Sequence, residues 1–340
     1  MGDAQERAVS VSVDRGAGER PFVSPWAAIG LGVVAVSSAS IFVRLSSAPP
    51  LAIATWRMGL ATLMLAPFAL VGGRRELLSM GARDFALSLL SGSFLAVHFG
   101  AWMTSLQHTS VASSVVLVTM HPLFVMLASR ILLGESAAGG AVAGAVIAVA
   151  GSAIIGLGDS AAGGRAFFGD LLALLSALMF AGYVIVGRGV RQRLSVAPYA
   201  FVVYGMCSLI LALTCTASGV RICPYPARDY VLFVALAAVP TILGHTVFNW
   251  ALRYVSASVI SVSVLGEPVG ATLLAVALLE ETPPATAIAG GVLVILGIAI
   301  FTLFSRGKPG TPRRAASTAD GVKAASEPAF SPPACKGSRR

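Results

Sequence analysis

Long apolar runs, each closed by a short polar break, follow one another along this chain from about residue 26 to residue 304. Ten can be drawn, at roughly 26–46, 51–71, 84–105, 110–133, 139–158, 169–188, 197–218, 229–251, 256–279 and 285–304. Each approaches the ~20 mostly apolar residues that a helix needs to cross the hydrocarbon core of a bilayer. The pattern predicts an all-α membrane protein of ten transmembrane helices. The first run follows about 25 polar residues and is itself long enough to span, so it is expected to stay as the first helix and not to be removed as a signal peptide.

Composition sharpens this picture. Hydrophobic residues make up 56% and charged residues 11% of the 340 positions, and the mean hydropathy is +0.84, far from the usage of water-soluble domains. The formal charge of +9 does not point to nucleic acid, because a nucleic-acid surface needs a soluble fold with aromatics interleaved among its basic residues. The basic residues instead sort by side. With the N-terminus inside, Arg44, Arg165, Arg221 and Arg228 fall on the outer side and Arg57 falls within the membrane. All other lysines and arginines are then cytoplasmic, Arg188 and Arg191 included, as the positive-inside rule requires. Both termini are therefore expected in the cytoplasm of a multi-pass cell-membrane protein. Residues 1–25 form an N-terminal tail, and 305–340, rich in Pro, Ala, Ser and Lys/Arg, are expected to be disordered beside anionic headgroups. Cys207, Cys215, Cys223 and Cys335 have no metal-binding or disulfide spacing.

The chain also repeats itself. At an offset of 146, LLGE at 132–135 falls on LLEE at 278–281, His121-Pro122 falls on Glu267-Pro268, and Leu106/Leu252, Ser110/Ser256, Gly144/Gly290 and Gly151/Gly297 coincide. A shorter echo links 48–58 with 195–206 at an offset of 148. The halves are thus 26–158, with helices one to five, and 169–304, with helices six to ten. Five is odd, so the second half enters the bilayer upside down relative to the first. Inverted repeats of this kind build many secondary transporters, with the solute bound between the halves near the midplane.

These motifs resemble the EamA-type branch of the drug/metabolite transporter superfamily. The likeness is carried by the Pro-then-LLGE stretch, the glycine-bearing run GGAVAGAVIAVAGSAIIG, their counterparts Glu267-Pro268…LLEE and ATAIAGGVLVILGIAIF, and Trp56-Arg57. It implies a permease with two five-helix repeats and an exported metabolite. Repeats of that family often carry Glu-Pro, whereas the first half here has His121-Pro122.

Ionisable residues inside a bilayer are functional-site candidates by default. Glu267 shares a helix face with Ser256 and Ser263, and Pro268 after it removes a backbone N–H and frees the carbonyl of Val264. Its pseudo-equivalent His121 precedes Pro122, and the two could form a proton-titrating pair. Arg57, beside Trp56, could anchor a solute carboxylate or phosphate, or could snorkel to the headgroups with Trp56 in the aromatic belt. Its counterpart in the second half is Gly205. Helix three places His98, Trp102 and Ser105 on one face, and helix eight places His245 and Asn249 one turn apart. Tyr183, Tyr204 and Trp250 are weaker candidates. Each of these polar groups could equally be an interhelical hydrogen bond that only holds the bundle. The small-residue ladder Gly140, Gly144, Ala148, Ser152 reads as packing or as a homodimer seam, and Glu135, Glu280 and Glu281 as solvated helix ends or hinge contacts.

The function expected is secondary transport of a small polar metabolite, amino-acid-like, by alternating access, in the direction of efflux and with proton coupling. No cofactor, metal or catalytic residue is expected, and the partners are a small-molecule solute and the lipid bilayer. An intramembrane enzyme is disfavoured by the lack of HExxH, GxSxG and P-loop motifs. A passive channel or lipid scramblase is the other alternative.

Overall fold

The computed structural model describes residues 21–105, 108, 109, 114, 117–135, 137–156, 166–280, 283 and 285–305. Most of both tails, Arg165, Glu281 and Ser110 lie outside the described residues. Ten helical spans follow in order: α1 (Pro25–Leu45), α2 (Pro50–Gly72), α3 (Ala82–Ser105), α4 (His121–Leu133), α5 (Gly139–Gly156), α6 (Ala166–Arg191), α7 (Val196–Ala217), α8 (Ala227–Ala251), α9 (Ala257–Leu278) and α10 (Ala285–Ser305). Eight are long and apolar enough to cross a bilayer by themselves, and α4 and α5 are shorter apolar helices. No strand occurs among the described residues.

The connections sort onto two ends. At the end where α1 starts and α10 stops, here the base, Asp84 pairs with Arg193 at 2.6 Å and Arg188 pairs with Glu135 at 2.9 Å. Ser195 donates both its N–H and its hydroxyl to Glu76 there. At the opposite end, the crown, Asp229 accepts from Ser46 and Ser47, Trp56 donates to the Ile222 carbonyl, and Thr109 donates to Asp170. Contacts that join 46–47 to 229 and 84 to 193 on opposite ends require successive helices to alternate in direction. Ten alternating helices in two sets of five place the second set upside down.

The packing obeys the same inversion. The fifth helices of the two sets, α5 and α10, pair with each other, as do the second helices, α2 and α7. The third helix of each set packs on the first helix of the other, α3 on α6 and α8 on α1, and α4 on α6 is mirrored by α9 on α1. Both third helices therefore leave their own half: α3 lies against α6 and α7, and α8 against α1 and α2, while α2–α3 and α7–α8 contacts are slight. The halves are interwoven, not side by side.

The α5–α10 seam shows why glycine recurs there. A Cβ on Gly144 would stand 2.7 Å from the Gly297 carbonyl oxygen, and one on Gly151 would stand 2.7 Å from the Gly290 carbonyl oxygen. These contacts are symmetry mates, since Gly144 corresponds to Gly290 and Gly151 to Gly297 at the 146 offset. Gly140 faces the Phe304 ring, and Ala148 is fully covered. The ladder is thus consumed within the chain, which removes it as a homodimer seam; close backbone approach is what small residues permit.

Three of the helical irregularities shape the interior. A turn at Thr119–Met120 precedes His121, and a turn at Leu265–Gly266 splits α9 just before Glu267. In each case proline is the second residue of the helix that restarts, where its missing N–H costs no helical bond. In α8, residues Ala237–Thr246 wind as a π-helix around Pro240. That proline leaves the Leu236 carbonyl without its usual donor, and Thr241 Oγ1 takes it at 2.9 Å.

Candidate solute site

The π-wound stretch of α8 organises the interior. Because the Thr241 hydroxyl proton is spent on Leu236, its oxygen can only accept, and it receives Arg57 Nε at 2.8 Å. Thr246, five residues on, donates to the Thr241 carbonyl at 3.1 Å, so its oxygen accepts from Tyr204 OH, also at 3.1 Å. Tyr204 in turn accepts from Asn249 Nδ2 at 3.2 Å, and Asn249 Oδ1 accepts from Tyr183 OH at 3.0 Å. Two donor series therefore meet at Thr241 on α8: one runs from Tyr183 on α6 through Asn249, Tyr204 on α7 and Thr246 to the Thr241 carbonyl, and the other from Arg57 on α2 through the Thr241 hydroxyl to the Leu236 carbonyl. Arg57, Tyr183, Tyr204 and Asn249 are all buried.

Arg57 does not snorkel. Its side chain is 6% exposed, its guanidinium carbon lies 5.3 Å from the centre of the Phe99 ring, and its Nη2 is buried without a hydrogen-bond partner. An unmet charged donor costs at least ~1–3 kcal/mol, and such a group calls for a reason to be kept. No ion pair joins this guanidinium to Glu267. Glu267 is half-buried inside the bundle, at the restart of α9. Arg57 thus keeps a free donor in the interior, and Glu267 is not its ion-pair partner.

A second, aromatic group adjoins this one. His98 on α3 sits by its Nδ1 at 3.0 Å from the Ser176 carbonyl and 2.9 Å from its hydroxyl. A carbonyl only accepts, so Nδ1 carries the proton and Nε2 is an acceptor. His121 Nδ1 lies 2.7 Å from Ser261 Oγ on α9. The Phe180 ring separates the imidazoles, 5.1 Å from His98 and 4.6 Å from His121. His245 is half-buried and edge-on to Phe248.

Other expected residues lie elsewhere. Trp56 belongs to the crown, where it packs with Tyr230 and Phe233. Trp102 is partly buried against the core, and the Ser105 hydroxyl is turned back to the Trp102 carbonyl and to Ser114. Ser256 caps α9 by accepting from Val259 N–H, and Ser263 bonds back to Val259, so neither serves Glu267. Trp250 packs at a tilt against Phe22 and Tyr254 near the base. Glu135 is bound by Arg188, whereas Glu280 is exposed at the left-handed end of α9. Arg188 and Arg191, expected in a cytoplasmic loop, are the last turn of α6, because their donors cap carbonyls at the end of α8.

Sequence reasoning missed Thr241, Thr246, Ser176, Ser261 and Arg191. It also missed a repeat: Ala227-Arg228-Asp229-Tyr230 opens α8 as Ala82-Arg83-Asp84-Phe85 opens α3. The two aspartates fasten equivalent connections at opposite ends, Asp229 to Ser46 and Ser47, Asp84 to Arg193. Asp84 beside it holds the Arg193 guanidinium above its ordinary pKa.

The EamA-like transporter family model matches residues 24–157 and again 167–303. The chain belongs to the EamA-like transporter family. As an EamA-like protein it is a multi-pass membrane transporter, with a small-molecule solute and a lipid surround. A probable terminal-alkyne amino-acid exporter of Streptantibioticus cattleyicolor is 27% identical over 245 residues, covering 68% of this chain and 79% of that one. An uncharacterized transporter of Archaeoglobus fulgidus is 25% identical over 275 residues, covering 81% and 94%. A solved crystal structure superimposes with a TM-score of 0.70 at 19% identity, over 83% of this EamA-like chain and 97% of its own. At that identity the likeness is one of fold.

Proposed function

We propose that this EamA-like protein exports small zwitterionic, amino-acid-like solutes across the cell membrane by alternating access, with both termini cytoplasmic. The observation that carries the reading is the buried Arg57 Nη2 without a partner, with the carboxyl group of Glu267 on α9 not paired to it. A guanidinium binds a carboxylate in a planar, two-pronged way that an ammonium cannot match. The solute carboxylate meets Arg57 and its ammonium meets Glu267. Tyr183, Asn249 and Tyr204 hold the shape of the polar wall. Phe99 and Phe180, with His98, His121 and His245, favour an apolar or aromatic side chain. The exporter of Streptantibioticus cattleyicolor, named for amino acids, supports the same class of solute.

Glu267 also supplies the coupling. When the solute leaves at the outer side, a proton replaces the ammonium on the carboxylate, and the protonated site returns inward. One proton enters for each zwitterion exported, so the cycle moves one positive charge inward and runs on both the pH gradient and the membrane potential. His121, tied to Ser261, lies at the equivalent helix restart in the other half.

Counterflow in proteoliposomes tests this. A panel of radiolabelled neutral amino acids, led by leucine, is set beside leucinamide and 4-methylpentanoate, which lack the carboxylate and the ammonium respectively. The zwitterion is expected to show trans-stimulation and the two analogues none. Equal flux of all three, or flux without trans-stimulation, would overturn the reading.

A further inference from the structure

Arg191 is among the largest fully buried side chains of the molecule, 1% exposed near the base end of α6. Burying a guanidinium is costly unless its donors are met. Its Nε donates to the Asn249 carbonyl at 2.8 Å, and its Nη1 to the Leu194 carbonyl. The first of these closes a gap in α8. At the end of that helix the carbonyls of Phe248, Trp250 and Ala251 accept from backbone N–H groups of residues 252–255. The Asn249 carbonyl is instead met by Arg191. A turn earlier, Arg188 Nη1 donates to the Leu252 carbonyl at 2.6 Å, and Gln192 Nε2 donates to the same oxygen at 3.1 Å. The last turn of α6 thus grips the end of α8, and these helices lie in different packing groups, α8 with α1 and α2, α6 with α3 and α4.

Asn249 stands on both sides of this grip. Its backbone oxygen belongs to the closure of the base, while its side chain joins Tyr183 to Tyr204 in the series that leads through Thr246 to Thr241, the residue that also holds Arg57. It is 1% exposed, so its amide cannot turn without moving its neighbours. We infer that Asn249 and Arg191 are positioning residues that couple the interior polar site to closure of the base. A solute that draws Tyr204 or Arg57 toward itself shifts the Asn249 amide, and the shift passes to the carbonyl that Arg191 holds. The inference rests on reading the Arg57 network as the solute site.

The test needs no solute. In the full-length chain, with its four cysteines replaced by alanine, Val255→Cys sits partly buried just beyond the grip. Its rate of maleimide labelling in detergent reports opening of the base. Tyr204→Phe keeps the ring and removes the hydroxyl that accepts from Asn249. It is expected to change that rate by roughly fivefold, in keeping with ordinary coupling between sites. The same change should vanish when Arg191→Gln is also present, and return in part with Arg191→Lys. Additive effects of Tyr204→Phe and Arg191→Gln would overturn the coupling. So would an unaltered rate in Tyr204→Phe alone, a mild variant that decides the matter even if Arg191→Gln does not fold. Loss of the zwitterion reading appears separately, as absent leucine counterflow with the non-additivity intact.

Discussion

The α5–α10 seam and the polar interior are built on opposite rules. At the seam the two glycine contacts are related by the inversion, Gly144 on Gly297 and Gly151 on Gly290. In the interior the inversion is broken at every charged position. Arg57 faces Gly205 as its equivalent, and Glu267 faces His121. Symmetry serves packing because both conformations of an inverted repeat need the same seam. Asymmetry serves the solute, because a small molecule with two unlike ends has no two-fold axis.

The largest effect is expected at the seam. Gly144→Leu and Gly297→Leu push a side chain into facing backbone, and each should cost more than ~3 kcal/mol. Size-exclusion profiles and melting curves in detergent would show loss of the folded peak for both to a similar degree. A seam that tolerates either would break the comparison.

Arg57 should behave the other way. Arg57→Ala removes the solute's anchor and should lower transport on the order of 100-fold, while the melting temperature holds or rises, since an unmet buried charge is also removed. Arg57→Lys is expected to be nearly as poor, because an ammonium cannot reproduce the fork that meets a carboxylate. Wild-type affinity in Arg57→Lys would show that only charge matters there.

Glu267→Gln should still exchange leucine for leucine at a reduced rate, yet lose uphill export and its pH dependence. Flux measured across imposed pH gradients checks this; an unchanged pH profile would remove the carboxyl from the coupling.

The smallest effects belong to the symmetric aspartates at the two ends. Asp229→Asn weakens a clamp on three donors and should cost ~1–2 kcal/mol. Asp84→Asn loosens a half-exposed pair with Arg193, worth at most about 1 kcal/mol and weakened by salt. Thermal shifts at low and high ionic strength would rank them. Equal, salt-insensitive shifts would mean the two ends are fastened alike.

Much of the fold was legible because a bilayer writes itself into hydropathy, and because the glycines of the seam repeat at a fixed offset. The site was legible in part. Arg57, Glu267, His121, His98 and Asn249 stood out as polar groups in apolar runs. Thr241 and Thr246 did not, since at 3.6 residues per turn they would lie about 140° apart, on different faces. Only the π-winding around Pro240 brings both to one side. Arg191 was read as a loop charge because positive residues at a helix end usually are. The Asp84 and Asp229 repeat escaped because it matches at 145, between runs that match at 148 and at 146.

The interweaving of the halves sets a timetable for biosynthesis. When α3 leaves the ribosome, the helices it packs against, α6 and α7, have yet to be made. At roughly 5–20 residues per second the wait is on the order of ten seconds. Through that interval α3 stands in lipid with Ser91 and His98 unpartnered by the second half, polar groups on one face that must be sheltered by the insertion machinery or by α2. A message cut after α5 would therefore yield helices that insert and then persist as a substrate for membrane proteolysis, because the first half alone has nothing to close upon.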